Sequence, residues 1–159
     1  MIARIPVHEL EGKWRSARMD EQPRAVILDP SRRARLRKLL NRVSRQEAKS
    51  PWIFCREDTE RSDDRCVPLK TYDGRFRWED ILSTLSSKGV NSVMIEGGAI
   101  VINDILSRRM ADVIIIAVSP VIIGRDGVGI LPALQNEWLQ DVQSIALGKD
   151  VVVAGRIRT

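Results

Sequence analysis

A glycine pair set between an apolar run and a helical pattern is the feature that most constrains this chain. Val90–Ile95 is short and mostly apolar, which predicts a buried strand that ends at Glu96. Gly97 and Gly98 follow, where the chain must turn tightly into a helix with an apolar stripe. Val113–Val118 is apolar without a break and predicts a strand covered on both faces. The segment therefore predicts a βαβ unit.

The glycine pair suggests a chemistry for this unit. A helix start presents unpaired N–H groups and the positive end of the helix dipole. Glycines there allow an anion, typically a phosphate, to approach the backbone closely. A tight turn with nothing bound fits the same residues equally well, because a glycine pair is a much weaker signal than a complete phosphate-loop motif. Neither G-x-G-x-x-G nor G-x-x-x-x-G-K-[ST] occurs in the sequence.

A second possible phosphate contact follows the first predicted strand. Ala25–Leu28 is a strand candidate that stops at Asp29, and Ser31 is a suitable N-cap for the helix expected next. That helix has one apolar face and one basic face; the basic side chains are Arg32, Arg33, Arg35, Arg37, Lys38, Arg42 and Arg45. A solvated face is the simpler interpretation. The alternative is that Ser31 and Arg32 meet a phosphate, since open α/β sheets place ligands where strands end.

The remaining patterns predict an α/β protein with a mixed sheet. Trp52–Cys55 is a strand candidate, and Val67–Leu69 is an edge strand because Pro68 lacks an N–H group. An amphipathic helix begins at Trp78. The predicted closing hairpin joins strands at 142–147 and 151–157. Residues 1–22 are predicted to be a loop or short helix, and residues 132–138 to be irregular.

Composition narrows the class of protein. With 159 residues, of which 43% are apolar, the chain is predicted to form a single domain with a real core. A net charge of +5 fits a phosphorylated ligand or an ordinary basic surface. Aromatic residues make up only 4%, which argues against a nucleic-acid partner. The N-terminus lacks the apolar core of a signal peptide and no run reaches membrane-spanning length, so we expect a soluble, cytoplasmic protein without a membrane partner.

The cysteines and the histidine suggest no metal site. Cys55 and Cys66 form no C-x-x-C pair, and His8 is the only histidine. Two cysteines give no disulfide framework either, which favours a reducing compartment.

Two motifs resemble a known family. The residues V-M-I-E-G-G-A-x-x-I-N at 93–103 and A-D-x-I-I-I-x-x-S-P-V-I-I-G at 111–124 are similar to the reductase domain of riboflavin biosynthesis, most closely its fungal stand-alone type. Gln22–Pro30 and Arg75–Leu82 extend the resemblance upstream. It implies a dihydrofolate reductase-like fold, a three-layer mixed sheet with flanking helices and a C-terminal β-hairpin, lacking the first strand.

The resemblance also implies an activity: NADPH-dependent reduction of the ribosylamino side chain of 2,5-diamino-6-ribosylamino-4(3H)-pyrimidinone 5′-phosphate to the ribitylamino form. The residues matching the cofactor-binding turn are Glu96, Gly97, Gly98, Ala99 and Ile100. By the same resemblance, Glu96 lies near the nicotinamide and the substrate, and Ser31 and Arg32 lie near the adenosine 2′-phosphate. A homodimer is implied, and no nucleophile is expected because the cofactor carries the hydride chemistry.

The family differs from this chain at the N-terminus. Its members carry S-L-D-G-type and G-x-x-T-V-x-x-D-D-P-type segments that have no counterpart here, and Ile2–Pro6 resembles the sequence following the second. We therefore expect weak NADPH binding and slow turnover, since a pocket that lacks one wall orients the cofactor and substrate poorly. The alternative is a catalytically impaired fragment, or a non-catalytic paralogue that acts as a binding or assembly subunit. A third hypothesis is a nucleic-acid binder using the basic face at 32–45.

Overall fold

The computed structural model of the chain describes residues 23–58, 63–129 and 139–158. The residues predicted to be loop or irregular at 1–22 and 132–138 lie outside the described part. The chain divides into two compact units, Met1–Gly89 and Val90–Thr159. A three-stranded parallel sheet forms in the first unit and a three-stranded antiparallel sheet in the second. The predicted α/β class, with a C-terminal hairpin, is confirmed.

The parallel sheet of the first unit is built from the strands that the sequence predicts. They are β1 (Val26–Leu28), β2 (Trp52–Arg56) and β3 (Cys66–Leu69), in the order β1-β2-β3. Phe54 of the central strand is fully buried, and its ring packs edge-on against Phe76 at a centroid separation of 6.4 Å. Strand β3 lies at the edge, where the missing N–H of Pro68 is tolerated.

The described residues of the first unit include the helices α1 (Arg37–Ser44) and α2 (Trp78–Ser87). The apolar face of α1 is half-buried, whereas its basic side chains are exposed, as their spacing predicts. In α2, Trp78, Ile81 and Leu85 are buried at helical spacing and contribute much of this unit's core.

The second unit contains α3 (Ala99–Ser107), β4 (Val113–Val118), β5 (Leu139–Leu147) and β6 (Asp150–Ile157). The strand order is β4-β6-β5, and both pairings are antiparallel. The hairpin between β5 and β6 turns at Gly148, whose φ of 62° suits glycine. A short 3₁₀ helix spans Gly124–Asp126.

The predicted strand at Val90–Ile95 is wrong. Residues 90–98 have no regular secondary structure, and the Met94 side chain is 74% exposed. A strand forms only when a neighbour completes its ladder of hydrogen bonds, and none of the described strands pairs with this segment. The predicted βαβ unit is therefore wrong as well, because α3 leads into a strand whose described partner is antiparallel.

The prediction that β4 is covered on both faces is also wrong. Its burial alternates: Ile114 and Ile116 are half-buried, whereas Val113 and Ile115 are exposed, Ile115 by 61%. Antiparallel sheets commonly leave one face uncovered, and an unbroken apolar run does not reveal whether both faces are packed.

The expectation that the two cysteines form no disulfide framework is corrected by the structure. Cys55 of β2 and Cys66 of β3 form a disulfide, with their Cα atoms 6.0 Å apart. Their separation of 11 residues along the chain gives no sign of this, because adjacency depends on the parallel pairing of β2 with β3.

Candidate functional site

The glycine turn of the second unit leads directly into α3. Gly98 is the residue before the helix, in an extended conformation, and its carbonyl oxygen accepts hydrogen bonds from the N–H groups of Val101 (3.0 Å) and Ile102 (3.2 Å). No side chain in the described part of the chain caps this helix, and its first turn carries no acidic residue. The first N–H groups and the positive end of the dipole are therefore not neutralised by the helix itself.

The two glycines differ in the space around them. A Cβ atom on Gly97 would lie 2.6 Å from Val101 Cβ and 2.7 Å from its Cγ1, so only glycine fits against the first turn of α3. A Cβ atom on Gly98 would meet none of the described atoms within 4 Å. Gly97 is thus explained by packing, whereas Gly98 borders open space through which an anion can approach the backbone.

The other predicted residues of this turn differ in accessibility. Glu96 is exposed just before the glycines, Ala99 is half-buried, and Ile100 is 75% exposed on the first turn of the helix. The structure therefore presents a carboxylate, helix N–H groups and an apolar side chain along one short stretch of chain.

Ser31 and Arg32 lie in the first unit, in the turn after β1. The Arg32 backbone is in the left-handed region, with a φ of 54°, and both residues are exposed. The prediction that Ser31 caps the following helix is wrong, because α1 begins only at Arg37 and no side chain caps it.

Asp29 explains the late start of α1 and is a residue that the sequence analysis did not single out. Its carboxylate accepts hydrogen bonds from the backbone N–H groups of Arg33 (2.8 Å) and Ala34 (3.0 Å). Ser31 Oγ accepts one from Arg33 Nε (3.0 Å) instead of capping a helix. An aspartate that follows a strand and precedes a proline typically forms a turn, and this pattern is the sequence signal for the role of Asp29.

A shallow cleft of about 380 Å³ lies at the carboxyl ends of β2 and β3, where Glu57 and Lys70 follow the strands. Its lining residues are Glu57, Pro68, Leu69, Lys70, Tyr72, Asp80, Ser83 and Thr84. Asp80 Oδ2 is buried without a hydrogen-bond partner among the described atoms. Residues of the predicted site do not line this cleft, although its place at the carboxyl ends of parallel strands is typical of ligand sites.

The connection between β2 and β3 carries two local ion pairs. The Arg65 guanidinium donates to the Asp63 carboxylate at 2.7 Å and lowers the pKa of that carboxyl. Arg56 forms the equivalent pair with Asp58, and the hydrogen bond that its guanidinium donates lowers the pKa of the Asp58 carboxyl. Both pairs join residues two positions apart and are accessible to water.

Across residues 23–58, 63–129 and 139–158, no three histidine, cysteine, aspartate or glutamate side chains gather as a metal ion would require. None of the helices in this part of the chain has the length and apolar character needed to cross a membrane.

Residues 3–153 match the family described as the RibD C-terminal domain. The chain belongs to this family. The match extends over both units and includes the glycine turn and the turn after β1. The family resemblance inferred from the two motifs is therefore confirmed.

Yeast relatives in this family carry the name 2,5-diamino-6-ribosylamino-4(3H)-pyrimidinone 5′-phosphate reductase. The protein of Kluyveromyces marxianus is 34% identical over 144 residues, which cover 86% of this chain and 57% of the relative. The protein of Kluyveromyces lactis is 30% identical over 145 residues, covering 87% and 57%. The chain thus spans a little over half the length of these relatives.

Solved structures share the fold. The riboflavin biosynthesis reductase Rib7 of Saccharomyces cerevisiae matches 87% of this chain and 71% of its own, with a TM-score of 0.75 and 24% identity. RibD of Acinetobacter baumannii matches 87% of this chain and 38% of its own, with a TM-score of 0.65 and 21% identity. The dihydrofolate reductase-like fold that the resemblance implies is confirmed.

Proposed function

We propose that this chain is an oxidoreductase that uses NADPH to reduce the ribosylamino side chain of 2,5-diamino-6-ribosylamino-4(3H)-pyrimidinone 5′-phosphate to the ribitylamino form. The observation that carries the proposal is the 34% identity, over 86% of the chain, to a reductase named for this substrate. Membership of the RibD C-terminal domain family supports it.

The glycine turn fits the pyrophosphate of a nicotinamide dinucleotide. Open space beside Gly98 leaves room for phosphate oxygens near the backbone, and the first turn of α3 holds no carboxylate that would repel them. The residues that would hold the cofactor here are Glu96, Gly97, Gly98, Ala99 and Ile100. When bound, NADPH supplies a hydride, and the protein supplies binding, orientation and electrostatics.

Glu96 is proposed as the residue of this turn that positions substrate and nicotinamide. Its carboxylate is exposed at the end of the segment leading into the glycines. A carboxylate accepts hydrogen bonds from amino groups, which a diaminopyrimidinone ring provides and which an apolar residue could not recognise.

Ser31 and Arg32 are proposed, independently, as contacts of the adenosine 2′-phosphate. Asp29 already occupies two backbone N–H groups of this turn, so recognition would depend on side chains. Arginine suits this role because its planar guanidinium matches phosphate oxygens and stays charged at all relevant pH values.

We also propose that the protein forms a homodimer through the sheet of its second unit. On one face of this sheet, Ile115 of β4 lies opposite Ala154 of β6. Two residues further along, Ala117 lies opposite Val152, and Val152 lies opposite Ile145 of β5. These four neighbours of Ile115 and Ile115 itself, defined here as the Ile115 face, are apolar and are exposed at β4; the same face also carries Gln143 beside Ala154 and Arg156 beside Val113. Contiguous apolar surface of this kind is typical of protein interfaces.

The enzymatic proposal is tested by incubating the purified chain with NADPH and the ribosylamino substrate, at enzyme concentrations near that of substrate so that slow turnover is detected. We expect NADPH oxidation matched by formation of the ribitylamino product, identified by mass spectrometry. Binding of NADPH without product would contradict the catalytic proposal and favour the non-catalytic binding subunit. Absence of both binding and product would contradict the cofactor assignment as well.

A further inference from the structure

Cys55 and Cys66 are held together by the sheet itself. In the parallel register Cys66 is opposite Ile53 and Cys55 is opposite Pro68, so the two cysteines lie diagonally across β2 and β3. Their Cα separation of 6.0 Å lies within the range that a disulfide spans. Because hydrogen bonds between the strands set this separation, we expect the two sulfur atoms to remain neighbours when the bond is open.

The two cysteines differ in access from solvent. Cys55 is only 2% exposed and follows Phe54, which is fully buried, in the central strand. Cys66 is half-buried and begins the edge strand β3, directly after a charged connection. Cys66 is therefore the more accessible of the two to a small thiol or disulfide from solution.

We propose that Cys66 is a site of reversible thiol–disulfide exchange with glutathione-type thiols, and that Cys55 is its buried resolving partner. In the oxidising direction, the Cys66 thiolate attacks one sulfur of oxidised glutathione. The sulfur–sulfur bond of glutathione breaks, one glutathione thiolate leaves, and a mixed disulfide forms on Cys66. The Cys55 thiolate then attacks the Cys66 sulfur, which forms the Cys55–Cys66 bond and expels the second glutathione thiolate.

The reaction is balanced without another reagent. Two cysteine thiols lose two electrons, oxidised glutathione gains them, and the two cysteine protons end on the released glutathione thiols. Reduction is the reverse and begins with attack of a glutathione thiolate on the accessible sulfur of Cys66. Burial disfavours attack on Cys55 from solution, so both directions pass through the same mixed disulfide at Cys66.

The thiol–disulfide exchange affects how strand β3 is attached to the parallel sheet. The bond connects β3, which has one strand neighbour among the described residues, to the central strand β2. It also closes the connection that carries the Arg56–Asp58 and Asp63–Arg65 pairs. The redox state of the pair thus controls how firmly this edge of the first unit is held.

The test compares Cys55→Ser with Cys66→Ser, each as the full folded chain, after reduction and then exposure to oxidised glutathione. Intact-mass spectrometry should show one glutathione added to Cys55→Ser at a rate at least about tenfold higher than to Cys66→Ser. After denaturation, Cys66→Ser should also be modified, which would show that burial protects Cys55. Equal modification of the two folded variants would overturn the assignment.

Wild-type protein gives a second measurement that does not depend on how the variants fold. Samples quenched with acid during oxidation should carry transient glutathione on the peptide containing Cys66, and at completion both thiols should be unreactive to maleimide. Glutathione found first on Cys55, or two thiols that stay reactive in excess oxidised glutathione, would contradict the proposal.

Discussion

At the residue scale, the two glycines of the pair have different roles: packing excludes a side chain at Gly97, whereas Gly98 leaves the backbone accessible. Gly97 cannot accept a side chain because of Val101, whereas Gly98 can accept one in open space at a φ of −66° that any residue adopts. This difference selects Gly98 as the position for testing the cofactor site, since a substitution at Gly97 would disturb α3 whatever the charge introduced.

Gly98→Asp should reduce NADPH affinity by at least about tenfold, or about 1.4 kcal/mol. The aspartate would cap α3 and keep the helix stable. Its carboxylate would also occupy the helix N–H groups and repel the pyrophosphate. Calorimetric titration measures the change.

Gly98→Ala is the matched control for that substitution. Its methyl group enters the same open space without charge, so its affinity should stay within about twofold of wild type. Equal affinity of Gly98→Asp and Gly98→Ala would show that no anion binds at this helix start.

Asp63 should contribute a pH-dependent part of the stability. Arg65 lowers its pKa in the folded chain, so the folded state binds this proton less readily than the unfolded state, whose carboxyl titrates near 3.9. The stabilisation is present above about pH 4 and is lost as the pH falls through the folded pKa. Because the pair is about one-third exposed, its size is below about 1 kcal/mol.

Urea unfolding between about pH 5 and pH 3 measures this contribution. Asp63→Asn should flatten the pH dependence of the free energy of unfolding relative to wild type. Asp64→Asn removes the same charge from the neighbouring position and should retain the wild-type slope. If Asp63→Asn left the pH dependence of the free energy of unfolding unchanged, the Asp63–Arg65 ion pair would contribute no net stability.

At the scale of elements, the β1–α1 connection is a turn organised by one carboxylate. The basic stretch after β1 remains non-helical until Arg37 because Asp29 binds the N–H groups of Arg33 and Ala34. This also holds Arg32 in its left-handed conformation, which is unfavourable for a residue with a side chain.

Asp29→Ala should therefore lower the free energy of unfolding by about 1–2 kcal/mol, through loss of two hydrogen bonds to backbone N–H groups. Asp29→Asn keeps one oxygen acceptor and should cost about half as much. Ser31→Ala, which removes only an exposed side-chain contact, should change stability by less than about 0.5 kcal/mol. Thermal unfolding of the three variants gives the ranking, and equal values for all three would contradict it.

At the scale of the whole molecule, local patterns were sufficient for some elements and insufficient for others. The helix at Trp78 and the hairpin around Gly148 are determined by spacing and turn residues within a few positions, and both are confirmed. The strand predicted at Val90–Ile95 and the expected absence of a disulfide are wrong because both depend on how strands pair, which periodicity does not encode.

The candidate site shows the same division. The motif predicts the glycine turn, whereas the different roles of Gly97 and Gly98 depend on the position of Val101 in the fold. The sequence predicts that Ser31 caps a helix, which it does not do. Asp29 accepts from the backbone N–H groups of this turn instead, and only the fold shows which side chain reaches them. Sequence identifies the chemistry of these positions better than their contacts.

The Ile115 face gives the last prediction, which concerns assembly. Ile115→Lys places a charge in the middle of this apolar row and would have to bury it, so the substitution should shift a wild-type dimer to monomer in sedimentation at equal concentration. Ser144→Lys adds the same charge on the opposite face, since Ser144 is cross-strand neighbour to Val153, and should sediment as wild type. A monomeric wild-type protein, or dissociation by Ser144→Lys alone, would remove the Ile115 face as the interface.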